Sequence, residues 1–414
     1  MKSGEPFELA YRQLLPSHEQ GLLLTACLHT GDAAGRAWSE FGAVAGDPKV
    51  YFETNRTGLK GLLPFVGASL AANGVGISKP FQTYVRVAMV REGLRSRIYA
   101  EILGTVLDCL GAAQIPVVLL KGGALSAAVY PQPSTRHNHA IDLLVDPRQM
   151  LAASAALAQI QFTPGLAGPG AAHHRTFRHS SGLALGLHSR LLFLPHFDLP
   201  VDEIRARLRT ISIDGRAVWI LSPEDSLVHI CGHAAYSRGR ANLRWACDVH
   251  FLLQQNPALD WPLVVRLAAQ SGVVLPTMVL LQWMREMLRA PIPGERLAEL
   301  RTLGAPVDAV TSEGLYAALL HSIYSRRTVL HLLSTSRRAQ CEFLGFCAFP
   351  SLRFMRWKHD VDGGWNLAAH YLDRPRRLAL HLLRGGATTG TRPSIDEDLA
   401  AMAVQREQAR ASHS

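Results

Sequence analysis

Between residues 119 and 145 the chain carries, in order, Leu119-Leu120-Lys121-Gly122-Gly123, Tyr130-Pro131, Arg136 and Ile141-Asp142-Leu143-Leu144-Val145. A lysine and two glycines between an apolar run and a helical stretch suit a phosphate ligand. Glycine lets backbone N–H groups approach phosphate oxygens closely, and a helix N-terminus adds a favourable field. Lys121 supplies a compact positive charge, and Arg136 a planar fork that can grip phosphate at two points. A carboxylate on the following strand, Asp142, is the residue type that helps hold Mg2+. That ion neutralises phosphates and stabilises charge on leaving pyrophosphate. Lys-Gly-Gly alone marks many ordinary turns, so the information lies in the ordered set. The plainer alternative for Lys121 is a solvent-facing lysine that ends a strand.

The elements that would position these residues follow from hydrophobic pattern. Ile115 to Leu120 is a short apolar run with β-branched residues and reads as a buried strand, Ala124 to Tyr130 as a short helix and Ile141 to Val145 as a second strand. A helix is expected over Arg148–Gln159, a loop over Phe162–His179 and a strand over Leu183–Leu187. Before this core, residues 7 to about 112 read as helical, with a long amphipathic stretch from Val87 to Leu110. From about 216 the chain reads as helical again, with Ser222 placed to cap a helix that starts at Pro223. The expected divisions are 1–112 (helical), 113–215 (core), 216–385 (helical) and 386–414, a tail without hydrophobic pattern that should be disordered.

With these residues in place, the sequence resembles the bacterial nucleotidyltransferase-family proteins of the DNA polymerase β-type superfamily. The matching branch reads LKG-x-A-L, then Y-P, then R-x-x-x-D-x-D-L-L-V, then an acid-x-His strand. The resemblance continues through Leu221-Ser222-Pro223-Glu224-Asp225, Cys231-Gly232-His233-Ala234, Leu243-Arg244-Trp245 with Asp248, and Arg374-Pro375-Arg376-Arg377. It implies an α+β fold, a small mixed β-sheet nucleotidyltransferase core flanked by mainly helical N- and C-terminal regions. It also implies a nucleoside triphosphate as substrate, Mg2+ as cofactor, and transfer of a nucleotidyl group to an acceptor hydroxyl or phosphate. Members resembling this chain often accompany natural-product peptide or polysaccharide biosynthesis, so the acceptor would be a peptide or small molecule.

Two departures bear on that chemistry. The paired acids of the pattern fall at 140 and 142, where this chain has Ala140 and Asp142. A further acid is expected two residues before the histidine that matches His188, and Gly186 stands there. Ala140 is either a natural loss or a deliberate Asp→Ala substitution. One carboxylate holds Mg2+ poorly, because the ion prefers octahedral oxygen coordination. The expected site is therefore Asp142 and His188 for chemistry, with Asp142 the remaining metal ligand, and Lys121, Gly122, Gly123, Arg136 and Arg190 for the nucleotide. Arg190 follows His188 by two and would share its strand face.

Histidines crowd the same region: His137, His139, His173, His174, His179 and His188. Imidazoles suit a softer metal than Mg2+, and loop histidines are the plainer alternative. His173 and His174 are secondary candidates, with His233, Arg244 and Asp248 on later helices. Arg244 and Asp248 stand four apart and could simply pair on one helix face.

Bulk composition narrows the alternatives. The 414 residues carry 43 Lys and Arg against 33 Asp and Glu, a net charge of +10, and only six of the basic residues are lysine. An arginine-rich excess suits an anionic ligand. Basic residues concentrate in 326–384, where Phe354 and Trp357 interleave with them, which raises nucleic acid as a partner without a recognised motif to support it. Six scattered cysteines without a CxxC pair argue against a zinc site or disulfide scaffold. The first residues lack a signal-peptide core and no apolar run is long enough to span a membrane, so the expected location is cytoplasmic. Three functions stay open: a nucleotidyltransferase with an incomplete metal site, a catalytically degenerate protein that binds nucleotide or peptide, and a basic nucleic-acid-binding protein.

Overall fold

The computed structural model describes residues 2–13, 15–54, 59–165, 173–197, 199, 201–236, 243–322, 326–359 and 365–383. The expected disordered tail, 386–414, lies outside these residues. The strands are β1 (Lys2–Ser3), β2 (Val117–Leu119), β3 (Ala140–Val145), β4 (Phe162–Pro164), β5 (His174–His179), β6 (Ala184–His188), β7 (Arg209–Ile213), β8 (Arg216–Ile220) and β9 (Pro306–Val307). Seven of them form one mixed sheet in the order β4-β5-β6-β3-β2-β8-β7, with β3 parallel to β6, β2 parallel to β8 and the other pairs antiparallel. Helical regions flank the sheet in the sequence, so the fold is the mixed α+β class that the pattern implies.

Alternation along β3 divides the sheet into two faces. Ile141, Leu143 and Val145 are buried with Leu185 and Leu187 of β6 and Val218 and Ile220 of β8. This face packs against Tyr99, Ile102, Leu103 and Val106 of the helix Lys79–Ala112 and Ala153 and Leu157 of the helix Met150–Ala158. Each fully buried aliphatic side chain here contributes about 1.5–3 kcal/mol. The opposite face carries Ala140, Asp142, Gly186 and His188. Ser78 starts the long helix by accepting the Phe81 N–H, with Pro80 in its first turn, where a missing N–H does no harm.

Three stretches depart from the sequence expectation. Phe162–His179 is not one loop, because β4 and β5 form an antiparallel pair within it. The helical reading from 216 is displaced by β8, which closes a hairpin with β7 and carries the sheet to Ile220. Asp214 (φ +48°) and Gly215 (φ +79°) make that hairpin turn, the Asp-Gly pair that a two-residue turn favours. Lys121–Gly123 does not form a free turn either, since the helix already begins at Lys121 and runs to Ala128.

The two helical regions share one core. β1 pairs antiparallel with β9, Lys2 opposite Val307. The helices Glu5–Arg12 and His18–Leu28 both pack on Val274–Leu288, and the Phe7 and Tyr316 rings lie 4.8 Å apart.

Candidate functional site

The centre of the polar sheet face is built by pairing. Register places Gly186 of β6 directly beside Asp142 of β3, and His188 beside Leu144. β5 then brings His174 opposite His188. Across the sheet, the Leu120 N–H donates to the Asp142 carbonyl at 2.9 Å, which sets the start of the helix Lys121–Ala128 over the same face. Lys121 reaches that position with φ +49°, a left-handed backbone that a non-glycine residue adopts at a strain of roughly 1–3 kcal/mol.

Three side chains converge there. Lys121 Nζ donates to Asp142 Oδ1 at 2.8 Å, and His188 Nε2 lies 2.7 Å from the same oxygen. Lys121 Nζ and His188 Nε2 are 3.5 Å apart. Both donors therefore point at one carboxylate oxygen, with His188 as its neutral Nε2–H form. Burial alone would raise the Asp142 carboxyl, but the Lys121 charge and the His188 hydrogen bond hold it well below the usual carboxylate range. Burial, with Lys121 adding to it, pushes His188 down to about 3. The His174 ring stacks on His188 with centroids 4.4 Å apart and planes at 14°, and burial lowers it to about 4.

The pair His173-His174 splits. His174 joins the centre, whereas His173 Nδ1 lies 3.1 Å from Ser189 Oγ. Arg190 lies past the end of β6, so strand periodicity does not carry it to the face of His188. His233 sits half-buried on the helix Pro223–Tyr236, held well below its ordinary value by burial and then by the charge of Lys121. One turn earlier on that helix stands His229, which the sequence reading did not single out. It is 3 % exposed, is pushed down to about 3 by burial and then by Lys121, and its Nε2 has no hydrogen-bond partner among the described residues. The signal was present as His229 and His233 four apart, the spacing of one helix face.

Arg136 is fully engaged. Its Nε and Nη2 donate to Asp248 Oδ1 and Oδ2, each at 2.8 Å, while Nη1 donates to Asn138 Oδ1. Tyr130 adds a third hydrogen bond to Asp248, at 2.7 Å. The side chains of Arg136 and Asp248 are only 9 % and 7 % exposed, so the fork expected for phosphate grips protein instead. Arg244 donates to the His137 carbonyl at 2.9 Å, a contact across the fold, while the Asp248 charge still acts on its guanidinium. Gly122 owes its identity to this network, because a Cβ there would lie 2.1 Å from Arg136 Nη1 and 2.2 Å from Asn138 Oδ1. At Gly123 a Cβ would meet the Tyr99 hydroxyl at 2.6 Å. The helix that starts at Lys121 has no side-chain cap, which leaves its first N–H groups to other acceptors.

Residues 58–289 match the model of a family described as uncharacterised nucleotidyltransferase. The chain belongs to that nucleotidyltransferase family. No curated protein matches it. The matched span holds Lys121, Arg136, Asp142, His188, His233, Arg244 and Asp248, and the family ties this fold to nucleotidyl transfer.

Nucleotidyltransferases generally use a nucleoside triphosphate and Mg2+. The donor set of this family member does not fit the ion. Ala140 and Gly186 bring no oxygen, and Asp142 Oδ1 already takes two donors. A Cβ at 186 would lie 3.1 Å from Asp142 Oδ1, 2.9 Å from His188 Nε2 and 3.1 Å from His174 Nε2, so imidazoles fill the space that an acid would need. Among the described residues no three His, Cys, Asp or Glu side chains are grouped to hold a metal.

Beside the centre, a cavity of about 580 Å3 opens on the same sheet face, lined by Val118, Leu144, Ile204, Leu208 and Trp219, with Asp146 held between Arg148 and Arg205 at its rim. The aromatics of the basic 326–384 stretch divide, with Phe349 and Trp365 exposed and others turned inward. Phe354 is buried, and Trp357 packs edge-on against Phe193 at 5.0 Å. Among the described residues no helix is long and apolar enough to cross a membrane.

Proposed function

We propose that this nucleotidyltransferase-family protein binds a nucleoside triphosphate at Lys121 and the start of the helix Lys121–Ala128, and that metal-dependent nucleotidyl transfer has been lost from the site. The observation that carries this reading is the coordination of Asp142. The one carboxylate of the centre is paired with Lys121 and His188, and the adjacent positions 140 and 186 carry alanine and glycine. The uncapped N–H groups of Gly122 and Gly123 and the Lys121 ammonium are donors of the type that phosphate oxygens accept.

In this reading Lys121, Gly122 and Gly123 contact the phosphates, Asp142 and His188 orient Lys121, and Arg136 with Asp248 fixes the wall behind Gly122. His174, His233 and Arg244 border the same centre, while His173 and Arg190 lie at the end of β6. Residues 113–215 together with β8 would form the ligand-holding core, with the cavity at Leu144 and Trp219 receiving a peptide or small molecule. Phe354 and Trp357, the rings that interleave with the basic residues, turn inward, although Phe349 and Trp365 of the same stretch are exposed.

A second reading, an active transferase, is favoured by the ordered Lys121, Asp142 and His188 within the matched span. Pyrophosphate release with each triphosphate separates the two. The first reading expects saturable binding in calorimetry with no release above background. Turnover near 1 per second or faster, a rate ordinary for enzymes, would establish the second.

A further inference from the structure

At the middle of the polar face Asp142 and Lys121 are in contact at 2.8 Å, and the guanidinium of Arg244 borders them. The imidazoles packed about them, His174, His188, His229 and His233, are all lowered from their ordinary value by burial, so they add no charge at neutral pH. A divalent ion placed here would face one carboxylate already shared by two donors and a fixed ammonium that repels it. Mg2+ binds well where several oxygens and few cations converge, which is the reverse of this arrangement.

We infer that Lys121 is the built-in cation of this centre, so that polyphosphate binds here without a divalent metal. This rests on the reading that the site takes a triphosphate. Lys121 Nζ lies where a single cation can touch both the carboxylate and an incoming phosphate. It arrives there by covalent attachment at the end of β2, on a backbone held at φ +49°. Asp142 then has a role opposite to that of a metal ligand. It anchors the ammonium while the site is empty, and it competes with phosphate for the same charge when ligand arrives. His188 holds the other end of that competition by donating to the oxygen that Lys121 would leave.

The opposed roles give an unambiguous experiment. ATP and inorganic tripolyphosphate are titrated into the full chain by calorimetry, once in EDTA and once in millimolar Mg2+. The unmodified protein should bind equally in both buffers, within about twofold. Asp142→Asn keeps the shape and removes the competing charge, so it should bind several-fold more tightly in EDTA. Lys121→Met should lose about tenfold or more in both buffers. Circular dichroism melts of the variants confirm that they fold. Direct Mn2+ titration of the unmodified protein, read by electron paramagnetic resonance, needs no variant and should find no site at Asp142. Binding that strengthens tenfold or more with Mg2+, or that Asp142→Asn abolishes, would overturn the built-in cation and leave triphosphate binding intact. Absence of binding in both buffers, for the unmodified protein and Asp142→Asn alike, would overturn triphosphate binding and the inference with it.

Discussion

Arg136 and Asp248, 112 residues apart in sequence, meet fork to fork at 2.8 Å in a setting where neither is more than a tenth exposed. The pair joins the segment before β3 to the helix Arg244–Gln255 and so ties the sheet to the later helices. Removing one member leaves the other charge buried without its partner. Asp248→Ala should therefore cost about 3–5 kcal/mol in urea denaturation. A loss below about 1 kcal/mol would mean that the pair is as dispensable as an exposed one.

Glycine at 122 is required by its neighbours. Gly122→Ala must displace the Arg136 guanidinium or Asn138, whose atoms would lie 2.1 and 2.2 Å from the new methyl. The expected loss is about 1–3 kcal/mol. Gly93→Ala is the matched control. It lies within the helix Lys79–Ala112 with nothing inside 4 Å of its would-be Cβ, and it should stabilise by about 0.5–1 kcal/mol. Equal thermal shifts in the two variants would refute the close approach at 122.

Stability should fall on mild acidification. Burial lowers His174 and His250 to about 4 and His188 and His229 to about 3, all from an ordinary 6.5. Below 6.5 the unfolded chain binds protons that the folded chain refuses. Stability is thus intact above pH 6.5 and is lost as pH falls toward 4. Each such histidine contributes a slope of about 1.4 kcal/mol per pH unit, so two together remove about 3 kcal/mol per pH unit. Differential scanning calorimetry at a series of pH values reads this directly. An unchanged Tm between pH 7.5 and about 5 would show that these rings are not buried as neutral groups.

Restoring acids should work better one at a time. Ala140 shares the face of Asp142 two residues away, and a carboxylate there would stand beside the first. Ala140→Asp should raise Mn2+ affinity and pyrophosphate release above the unmodified chain. Adding Gly186→Asp forces a side chain against His188, Asp142 and His174, where even a Cβ meets atoms at 2.9 to 3.1 Å. The double variant should therefore fold less stably and bind Mn2+ no better than Ala140→Asp alone. A double variant that surpasses the single one would mean that the imidazoles yield easily.

Much of the core was legible because its signals are local. The apolar runs at 115–120 and 141–145 became the strands 117–119 and 140–145, the helix from Pro223 took its cap from Ser222, and the mixed α+β class followed. β7 and β8 do not stand out in the sequence although Asp214-Gly215 lies between them, because β7 has no buried side chain and β8 only Val218 and Ile220. β5 was hidden by its composition, since His174-Arg175-Thr176-Phe177-Arg178-His179 has one buried apolar side chain and reads as polar loop. The partners of Arg136 could not be found by spacing at all. Asp248 lies on a distant helix, and only the fold decides that it meets Arg136. The same holds for Lys121 and Asp142, whose types were readable but whose mutual contact was not.

The joining of β1 to β9, and of the first two helices to Val274–Leu288, sets an order on synthesis. Phe7 is buried in the finished protein against Tyr316, encoded about 300 residues later, whereas the helix His18–Leu28 also packs on Gly31–Ala45, which follows it at once. At ribosomal speeds of roughly 5–20 residues per second, the first helix waits about 15–60 s before that partner exists. During that interval the emerging chain exposes sticky surface that the sheet, completed much earlier at Ile220, cannot cover. A holding chaperone that engages the first thirty or so residues, and releases them once the region around residue 307 has emerged, is what this topology asks of the cell that makes it.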